Sequence, residues 1–439
     1  MKLDLPAPQT AGTRRAGMVT YATACAAVVA IIFLTNWPTY RYTVYGGMIP
    51  LYYYILPGLM IVPLLLAEPQ AAVRFLRDPL LWWFFAFVLT GLVWLLLAQD
   101  FLEEASRQWR LRLLALMFIY SITLLASEAQ QRVLAWVIVA CVVVSCAFNW
   151  FDVLRPYRFV PRGIEGASEG RGAGLYINPN AAASFIVAGA IASLAFLPSR
   201  LRGLLLVCCV FGVAATFSRG GFVMITTATL GAMALRLMSR AQAMLLLVTL
   251  PLLIGGVSLA YDYLISASES QHIHTVLQRL AWFQEPADED FAVEGRKQGA
   301  ANAWQIFLEH PVTGGGTGAT SRAILLEGPH NMYLLLMAEQ GFLGLALYVS
   351  LVWLLIQRGW RGMRRSPSAR DRDVFATLVL FGVYLAVYGF FSHNVLEEPQ
   401  TMFVLAFVIA AGFARTSRVP VVQVRTTGAV PRSMARRST

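Results

Sequence analysis

The chain has 439 residues, of which 57% are hydrophobic and only 13% charged, and its formal net charge is +11. This composition excludes a soluble enzyme with one surface-anchoring segment, because apolar stretches long enough to cross a bilayer recur along almost the whole chain. The basic residues fall between these stretches, where membrane orientation and anionic lipid heads explain them. No nucleic-acid partner is therefore predicted, whereas contact with membrane lipids is.

The apolar stretches predict an all-α, polytopic membrane protein with about 12 transmembrane helices. The predicted spans are residues 17–35, 44–66, 79–98, 111–127, 131–150, 174–197, 201–217, 220–238, 241–262, 331–356, 373–392 and 400–415. An even number of spans places both termini on the same side of the membrane. We expect residues 1–439 to form a single membrane domain, with a further helix outside the bilayer from about Lys297 to Glu309.

The distribution of Lys and Arg predicts that both termini are cytoplasmic. Basic residues cluster in every second loop, from the N-terminal segment to the Arg-rich C-terminal tail. The cytoplasmic positions include Lys2, Arg14, Arg15, Arg74, Arg77, Arg132, Arg200, Arg202, Arg236, Arg240 and the cluster at 358–372. This orientation places a large loop, residues 263–330, on the outer side and a disordered tail, residues 416–439, in the cytoplasm.

Cysteines and histidines do not indicate a metal site. All five cysteines fall within apolar spans, which argues against a disulfide framework or a set of thiolate ligands. No pair of histidines has the spacing of a zinc-binding helix motif.

Arginines on the outer side run against the positive-inside tendency and so point to an anion. The outer segment 151–171 contains four of them, Arg155, Arg158, Arg162 and Arg171. The guanidinium group binds phosphate and carboxylate groups through two parallel hydrogen bonds, which suits an anionic substrate. The alternative is that these arginines pair with Asp152, Glu165 and Glu169 and only order the loop.

Arg219, in "ATFSRGGFVM", is the strongest cationic candidate. Between the cytoplasmic residues Arg202 and Arg236 the chain must cross twice, which leaves about 16 residues per crossing against the ~20 of a full span. We therefore expect the turn at 218–221 to be recessed, with Arg219 in a membrane cavity, where arginine is costly and usually functional. A salt bridge that merely locks the hairpin is the alternative.

Two further polar residues are weaker candidates. In "GLYINPNAAASF" Asn178 caps a helix and Pro179 takes its first position, so Asn180 either lines a polar cavity or supports the cap. Arg296 precedes an amphipathic helix and either binds an anion or is a solvated charge beside Glu294.

His330 begins the apolar run in "LEGPHNMYLLLMAEQGFLG", although a helix that enters a bilayer needs no histidine at its mouth. His330 is therefore the histidine whose position most needs a functional explanation. His272, His274 and His310 lie in polar surroundings, and His393, in "FFSHNVLEEP", is a weaker candidate for a site.

Two features near His330 are predicted to be structural. The glycine run in "HPVTGGGTG" lacks the Gly-Lys-Ser/Thr ending of a phosphate-binding loop and is interpreted as a flexible turn. Glu339 follows His330 by nine residues, which is about 900° of helical rotation and about 13 Å along the axis. It therefore faces away from His330, and we expect it to contact another helix.

The motifs "SRGGF", "GR…W…HPVTGGGTG" and "GPHNMYLLLMAEQGFLG", in this order, resemble the O-antigen ligase/polymerase family of polytopic membrane glycosyltransferases. The resemblance implies a GT-C-like fold in the bacterial inner membrane with a periplasmic active site and a periplasmic loop at 263–330. It implies neither a metal nor a nucleotide cofactor. His330 would be the catalytic base, and the substrate-binding residues would be Arg219, Arg296, Arg171, Arg158, Asn180 and Asn331.

The reaction implied by the resemblance moves a glycan en bloc from undecaprenyl diphosphate to an acceptor. In the ligase branch the donor is undecaprenyl diphosphate-linked O-antigen and the acceptor is a sugar hydroxyl of lipid A-core. An O-antigen polymerase or a protein O-oligosaccharyltransferase of the same superfamily is an alternative. A transporter of lipid-linked glycan is a further one, although the sequence shows no internal repeat with paired broken helices.

Overall fold

The computed structural model describes residues 11–67, 69–97, 102–125, 127–155, 157–161, 163–164, 170–259, 291–321 and 328–416. Half of the predicted outer loop, residues 263–290 and 322–327, and the predicted tail after Thr416 lie outside the described residues. Within the described residues every regular element is a helix and no strand occurs.

The α-helices are α1 (Ala11–Leu34), α2 (Trp37–Tyr45), α3 (Ile55–Ala67), α4 (Pro69–Phe75), α5 (Pro79–Leu97), α6 (Leu102–Thr123), α7 (Glu128–Leu154), α8 (Pro179–Ser193), α9 (Ser199–Ala214), α10 (Arg219–Ala234), α11 (Arg240–Leu259), α12 (Phe291–Glu309), α13 (Met332–Arg365), α14 (Ala369–Tyr388) and α15 (Pro399–Thr416). Short 3₁₀ helices lie at Pro50–Tyr54, Gly174–Tyr176, Leu194–Phe196 and Ala319–Ser321.

Helices overlap all the predicted apolar stretches, but the second stretch, residues 44–66, is not one helix. Gly46 and Gly47 adopt positive φ angles of 69° and 96°, and Pro50 starts a 3₁₀ helix, so the chain turns there before α3. Six helices in the described part of the chain are long and apolar enough to cross a membrane. They are Gly17–Leu34, Pro79–Leu96, Glu128–Leu154, Pro179–Phe196, Met332–Arg365 and Pro399–Thr416. The protein is thus a helical membrane protein, while the expected count of about 12 spans stays a prediction.

Helices α8 and α15 form the centre of the bundle and are buried along almost their whole lengths. The sequence of α8, PNAAASFIVAGAIAS, is rich in Ala, Gly and Ser, which allow helices in a membrane to approach closely. A Cβ atom at Gly189 would lie 2.6 Å from the side chain of Val142 on α7, so only glycine fits at this contact. The centre of the fold is therefore tightly packed, and the polar residues of the site lie toward its ends.

Helix α13 is broken at Gly341, whose φ and ψ angles of 63° and −154° are not helical. The break frees the carbonyl groups of Ala338 and Glu339 from the helical hydrogen-bond ladder. The glycine run occupies them: the amide of Gly315 donates to Ala338 O at 2.7 Å, and that of Gly316 donates to Glu339 O at 3.1 Å. The run forms a turn, as predicted, and these hydrogen bonds dock it on α13.

Glu339 is buried directly below this turn. Its carboxylate accepts hydrogen bonds from the amide of Gly318 at 2.9 Å and from the hydroxyl of Thr320 at 3.1 Å, with the Gln108 amide of α6 at 3.5 Å. The prediction that Glu339 contacts another helix is confirmed. Glu339 thus fixes the turn to α13 and to the helix that carries part of the site.

Candidate functional site

A cavity of about 750 Å³ lies where the start of α13 meets the first turns of α6 and α8 and the α14–α15 linker. Its polar wall includes His330, His393, Arg107, Arg110, Asn180, Glu397 and Glu398. Aromatic side chains form much of the remaining lining, the aromatic wall, and include Phe33, Tyr42, Tyr54, Tyr176, Tyr388 and Phe391. Such a cavity suits a ligand that has both charged and apolar faces.

The backbone fixes His330 in an uncommon conformation just before α13. Its φ angle of 45° lies in the left-handed region, which few residues other than glycine adopt and which carries a cost of about 1–3 kcal/mol. Asn331 caps the helix, since its Oδ1 accepts from the amide of Leu334 at 3.1 Å. The amide of Met332 donates to Gly389 O at 2.7 Å and ties this start to the end of α14. The imidazole is therefore held at the cavity wall by the fold on both sides.

His393 faces His330 from the α14–α15 linker. The two rings are 5.1 Å apart between centroids and tilted by 74°, in an edge-to-face arrangement. Nδ1 of His393 is buried and has no hydrogen-bond partner among the described residues. Burial, together with the nearby His330 and Arg107, lowers the pKa of His393 to about 4. His393 is consequently a neutral imidazole at neutral pH.

Arg107 on α6 holds two carboxylates of the cavity together. Its Nε and Nη2 donate to Glu104 at 2.8 and 2.5 Å, and Nη2 also donates to Glu397 Oε2 at 2.9 Å. Burial alone would raise the pKa of Glu104, but Arg107 outweighs it and lowers that pKa. Burial raises the pKa of Glu397 despite the same guanidinium. The ion pair between Arg107 and Glu397 thus ties the first turns of α6 to the α14–α15 linker.

Arg110 lies one helical turn after Arg107 on the same face of α6. Its Nη1 donates to the hydroxyl of Ser106 at 2.5 Å, and no carboxylate among the described residues pairs with it. Since Arg107 already serves two carboxylates, Arg110 is the cavity guanidinium with more capacity for an anion.

Glu398 lies at the base of the cavity, where three hydroxyl groups donate to it. These are Tyr388 at 2.7 Å, Thr401 at 2.8 Å and Ser184 at 3.1 Å. Burial raises the pKa of Glu398 to about 7, although the hydroxyl groups favour its charged form. This carboxyl can therefore be protonated or ionised close to neutral pH.

Of the predicted substrate-binding residues, Asn180 lines the same cavity as His330. Its Oδ1 accepts from Arg171 Nη2 at 2.8 Å and from the hydroxyl of Ser218 at 2.9 Å. Arg171 also donates to Thr216 O at 2.8 Å, and so it lies behind Asn180. The cap by Asn178, whose Oδ1 accepts from the amide of Asn180 at 2.8 Å, is confirmed.

The structure does not bring the remaining predicted residues onto the cavity wall. Arg219 is exposed at the first position of α10, although its neighbour Gly220 lies against Phe391 of the aromatic wall. Helices α9 and α10 have 16 residues each, the short length that the sequence predicts. Arg158 and Arg296 are exposed, and the carboxamide oxygen of Asn331 serves the helix cap.

The sequence analysis did not select Arg107, Arg110 or Glu397 and ranked His393 low. A signal for α6 exists, since Glu103, Arg107, Arg110 and Leu111 follow the i, i+4, i+7, i+8 pattern of one helix face and all line the cavity. For His393 the sequence offers no comparable pattern, because its importance depends on the fold placing it beside His330.

The helical membrane bundle with this polar cavity defines the chain as a polytopic membrane protein. Residues 204–349 match the family model described as O-antigen ligase, which confirms the resemblance predicted from the sequence and supports an O-antigen ligase-type protein. The matched segment is less than half of the chain and runs from α9 into α13, so that it includes Arg219, Arg296 and His330. The family indicates the O-antigen ligase/polymerase superfamily. No curated protein matches the chain.

Proposed function

We propose that the chain transfers a glycan en bloc from undecaprenyl diphosphate to a sugar hydroxyl of lipid A-core, which is the reaction of an O-antigen ligase. The observation that carries the proposal is the position of His330. It lies within the family match and on the wall of a cavity that also contains two guanidinium groups. The cavity opens at loops for which Lys and Arg bias predicts an outer, periplasmic location.

His330 is the proposed general base. The acceptor hydroxyl attacks the anomeric carbon of the donor, the bond from that carbon to the phosphate oxygen breaks, and the hydroxyl proton passes to the imidazole. His393, kept neutral by burial, adds no positive charge that would oppose proton uptake by the neighbouring ring. The reaction is proposed to need no metal.

Arginines are proposed to stabilise the departing diphosphate. Fixed cations in a water-poor cleft stabilise developing charge strongly. Arg110 lies on the cavity wall without a carboxylate partner among the described residues, and Arg107 adjoins it. Arg219 is proposed to act at the rim, since Gly220 beside it contacts Phe391. For Arg158, Arg171 and Arg296 a role in binding the donor is a proposal that the cavity geometry does not support directly.

The remaining walls suit sugars. Aromatic rings such as Tyr42, Tyr54 and Phe391 offer faces against which the apolar side of a sugar ring can pack. The carboxyl groups of Glu397 and Glu398 can accept hydrogen bonds from sugar hydroxyl groups. Asn180 can donate one through Nδ2, since its Oδ1 already accepts from Arg171 and Ser218. A lipid-linked glycan has the combination of charged, polar and apolar surface that this cavity accommodates.

Reconstitution of the purified protein tests the function. The assay contains lipid-linked glycan and lipid A-core with EDTA throughout, and the products are separated by mass. A ligase joins the glycan to lipid A-core and releases undecaprenyl diphosphate. Longer lipid-linked glycan without use of lipid A-core would instead indicate the polymerase, glycosylated pilin-like protein would indicate the oligosaccharyltransferase, and movement across a vesicle without new bonds would indicate a transporter.

A further inference from the structure

A second cavity, of about 490 Å³, lies at the opposite end of α13 and α15 from the candidate site. Three candidate membrane-spanning helices reach it with their ends: α5 begins at Pro79, α13 ends at Arg365, and α15 ends at Thr416. A pocket at which three such helices end lies at the boundary between bilayer and water. The Lys and Arg bias predicts that this end is cytoplasmic.

Four arginines line this cavity, Arg77, Arg358, Arg361 and Arg365, against one carboxylate, Asp78. Asp78 is already satisfied, because both of its oxygens accept from Arg358 Nη1 at 2.7 and 2.5 Å. No carboxylate among the described residues pairs with Arg77, Arg361 or Arg365. Among the described residues, no acidic group neutralises the charges of these three arginines at the cavity.

The guanidinium groups available to a ligand are those of Arg77, Arg361 and Arg365, which are exposed and line the cavity. Arg358 is engaged with Asp78, and its Nε has almost no accessible surface in the open cavity. Guanidinium groups select phosphate oxygens in particular, because their donors match the geometry of phosphate.

The other wall of the cavity is apolar and is made by Leu80, Leu354, Phe375 and Phe413. A small soluble anion gains no stabilisation from such a surface, whereas the acyl chain or glycerol backbone of a lipid can pack against it. Basic pockets between transmembrane helices on the cytoplasmic side are a known form of anionic-lipid site. The chain beyond Thr416 is a poor occupant, since residues 417–439 contain five arginines and no Asp or Glu.

We infer that this cavity binds the phosphate headgroup of an anionic membrane lipid, with the arginines around the phosphate and the lipid's apolar part along Leu80 and Leu354. The site is independent of the candidate active site, because it lies at the other end of the same helices. Its occupation would hold α5, α13 and α15 together at that membrane surface.

Lipid titration of the purified full-length protein in detergent tests this inference. The probe is dioctanoyl phosphatidylglycerol, and binding is followed by the rise in unfolding temperature. The zwitterionic dioctanoyl phosphatidylcholine and the soluble glycerol 3-phosphate serve as comparisons. We expect saturable stabilisation by phosphatidylglycerol alone, because the charge and the apolar part are both needed.

The double variant Arg361→Gln, Arg365→Gln should raise the dissociation constant for phosphatidylglycerol about 30-fold, from the loss of two cationic contacts. The matched control Arg200→Gln, Arg240→Gln removes the same charge from two exposed positions on the same predicted face that do not line the cavity, and it should bind as the wild type does. Should the double variant not fold, Arg77→Gln replaces it, with an expected loss of about fivefold.

Three results would overturn the inference. Equal stabilisation by phosphatidylcholine would mean that charge is not recognised. Equal stabilisation by glycerol 3-phosphate would assign the cavity to a soluble phosphate instead of a lipid. Equal loss of binding in the control variant would mean that the lipid senses only the overall charge of this face.

Discussion

His330 and His393 lie edge to face, with ring centroids 5.1 Å apart, although 62 residues separate them in the chain. The contact is maintained by backbone on both sides. Gly328 lies so close to His393 that a Cβ atom there would be 3.1 Å from the ring, and the amide of Met332 is bonded to Gly389 O. The start of α13 and the linker after α14 are therefore packed directly against each other, and we expect a substitution of either histidine to alter the surroundings of the other.

His393 should make the stability of the protein fall in mild acid. Because burial lowers its pKa from 6.5 to about 4, the unfolded chain binds a proton in this range and the folded chain does not. Stability is unaffected by this group above about pH 6.5 and declines as the pH falls toward 4. His393→Gln should flatten this decline, which thermal unfolding in detergent between pH 4 and pH 7 measures.

The control for this experiment is His310→Gln, because His310 is exposed on the described surface. Its pH profile should match that of the wild type. Glu398 changes the stability with the opposite sign: its pKa is raised to about 7, so its contribution to the stability of the fold is lost as the pH rises. The effect of His393 is therefore taken as the difference between the pH profiles of the variant and the wild type. An unchanged acid decline in His393→Gln would refute the assignment.

Arg110→Gln should weaken the handling of the donor while the fold is preserved. Arg110 is bonded to Ser106 on its own helix and makes no ion pair with a described residue, so little stability depends on it. A charge-assisted contact to the diphosphate is worth about 1.5–3 kcal/mol, which corresponds to a loss of roughly 10- to 150-fold in kcat/KM for the lipid-linked glycan. Steady-state transfer assays at varied donor concentration measure it.

Arg155→Gln is the matched control for Arg110→Gln, because Arg155 is exposed on the predicted outer side and does not line the cavity. It should transfer glycan at the wild-type rate. Full activity of Arg110→Gln would remove Arg110 from the site, whereas equal losses in both variants would indicate a general effect of outer charge.

Local sequence pattern was sufficient to predict the helices and to select two residues that line the cavity. Apolar runs fix where helices form, and the polar residues His330 and Asn180 stand out because a membrane helix has no need of them at its mouth. Arg107 and His393 could not be selected in this way. Their importance arises because α6 and the α14–α15 linker, which are distant in the chain, pack against the start of α13, and no single-sequence pattern records that packing.

The glycine run shows the same limit. Its composition is typical of a flexible turn, but its hydrogen-bond partners are carbonyl groups set free by a break in a helix that lies beyond it in the chain. The predicted span 331–356 runs through Gly341 without a break, whereas the structure breaks the helix there. A glycine whose φ must be positive cannot be told from other glycines before the structure is known.

Gly341→Ala should destabilise the protein and displace the docked turn. Its φ of 63° disfavours any Cβ atom, and that atom would lie 2.3 Å from Val312 O. The backbone cost alone is about 1–3 kcal/mol, and the clash adds to it. Thermal unfolding should show a clear fall in the midpoint. Gly17→Ala, at a helical position with no atom within 4 Å, should leave the midpoint unchanged or raise it.

His330 is the residue on which the proposed mechanism depends most directly. A general base contributes about 10²- to 10⁴-fold, so His330→Ala should reduce glycan transfer by that range. His330→Asn separates chemistry from backbone strain, because asparagine adopts the left-handed conformation more readily than alanine and cannot act as a base. Both variants should lose transfer equally if the imidazole is the base, and the assay is the reconstituted transfer to lipid A-core in EDTA.

Binding of the donor should survive in both His330 variants, because the proposed diphosphate contacts come from arginines. Lipid-linked glycan should therefore still raise the unfolding temperature, and in cells the glycan should accumulate on its carrier. His310→Ala, at an exposed position, should behave as the wild type in every assay. If His330→Asn restored transfer that His330→Ala had lost, the conformation of residue 330 would matter and its imidazole would not. If both variants transferred glycan at near the wild-type rate, the proton would have to go elsewhere, and His393 would be the first residue to replace next, because its ring contacts His330 at the cavity lining.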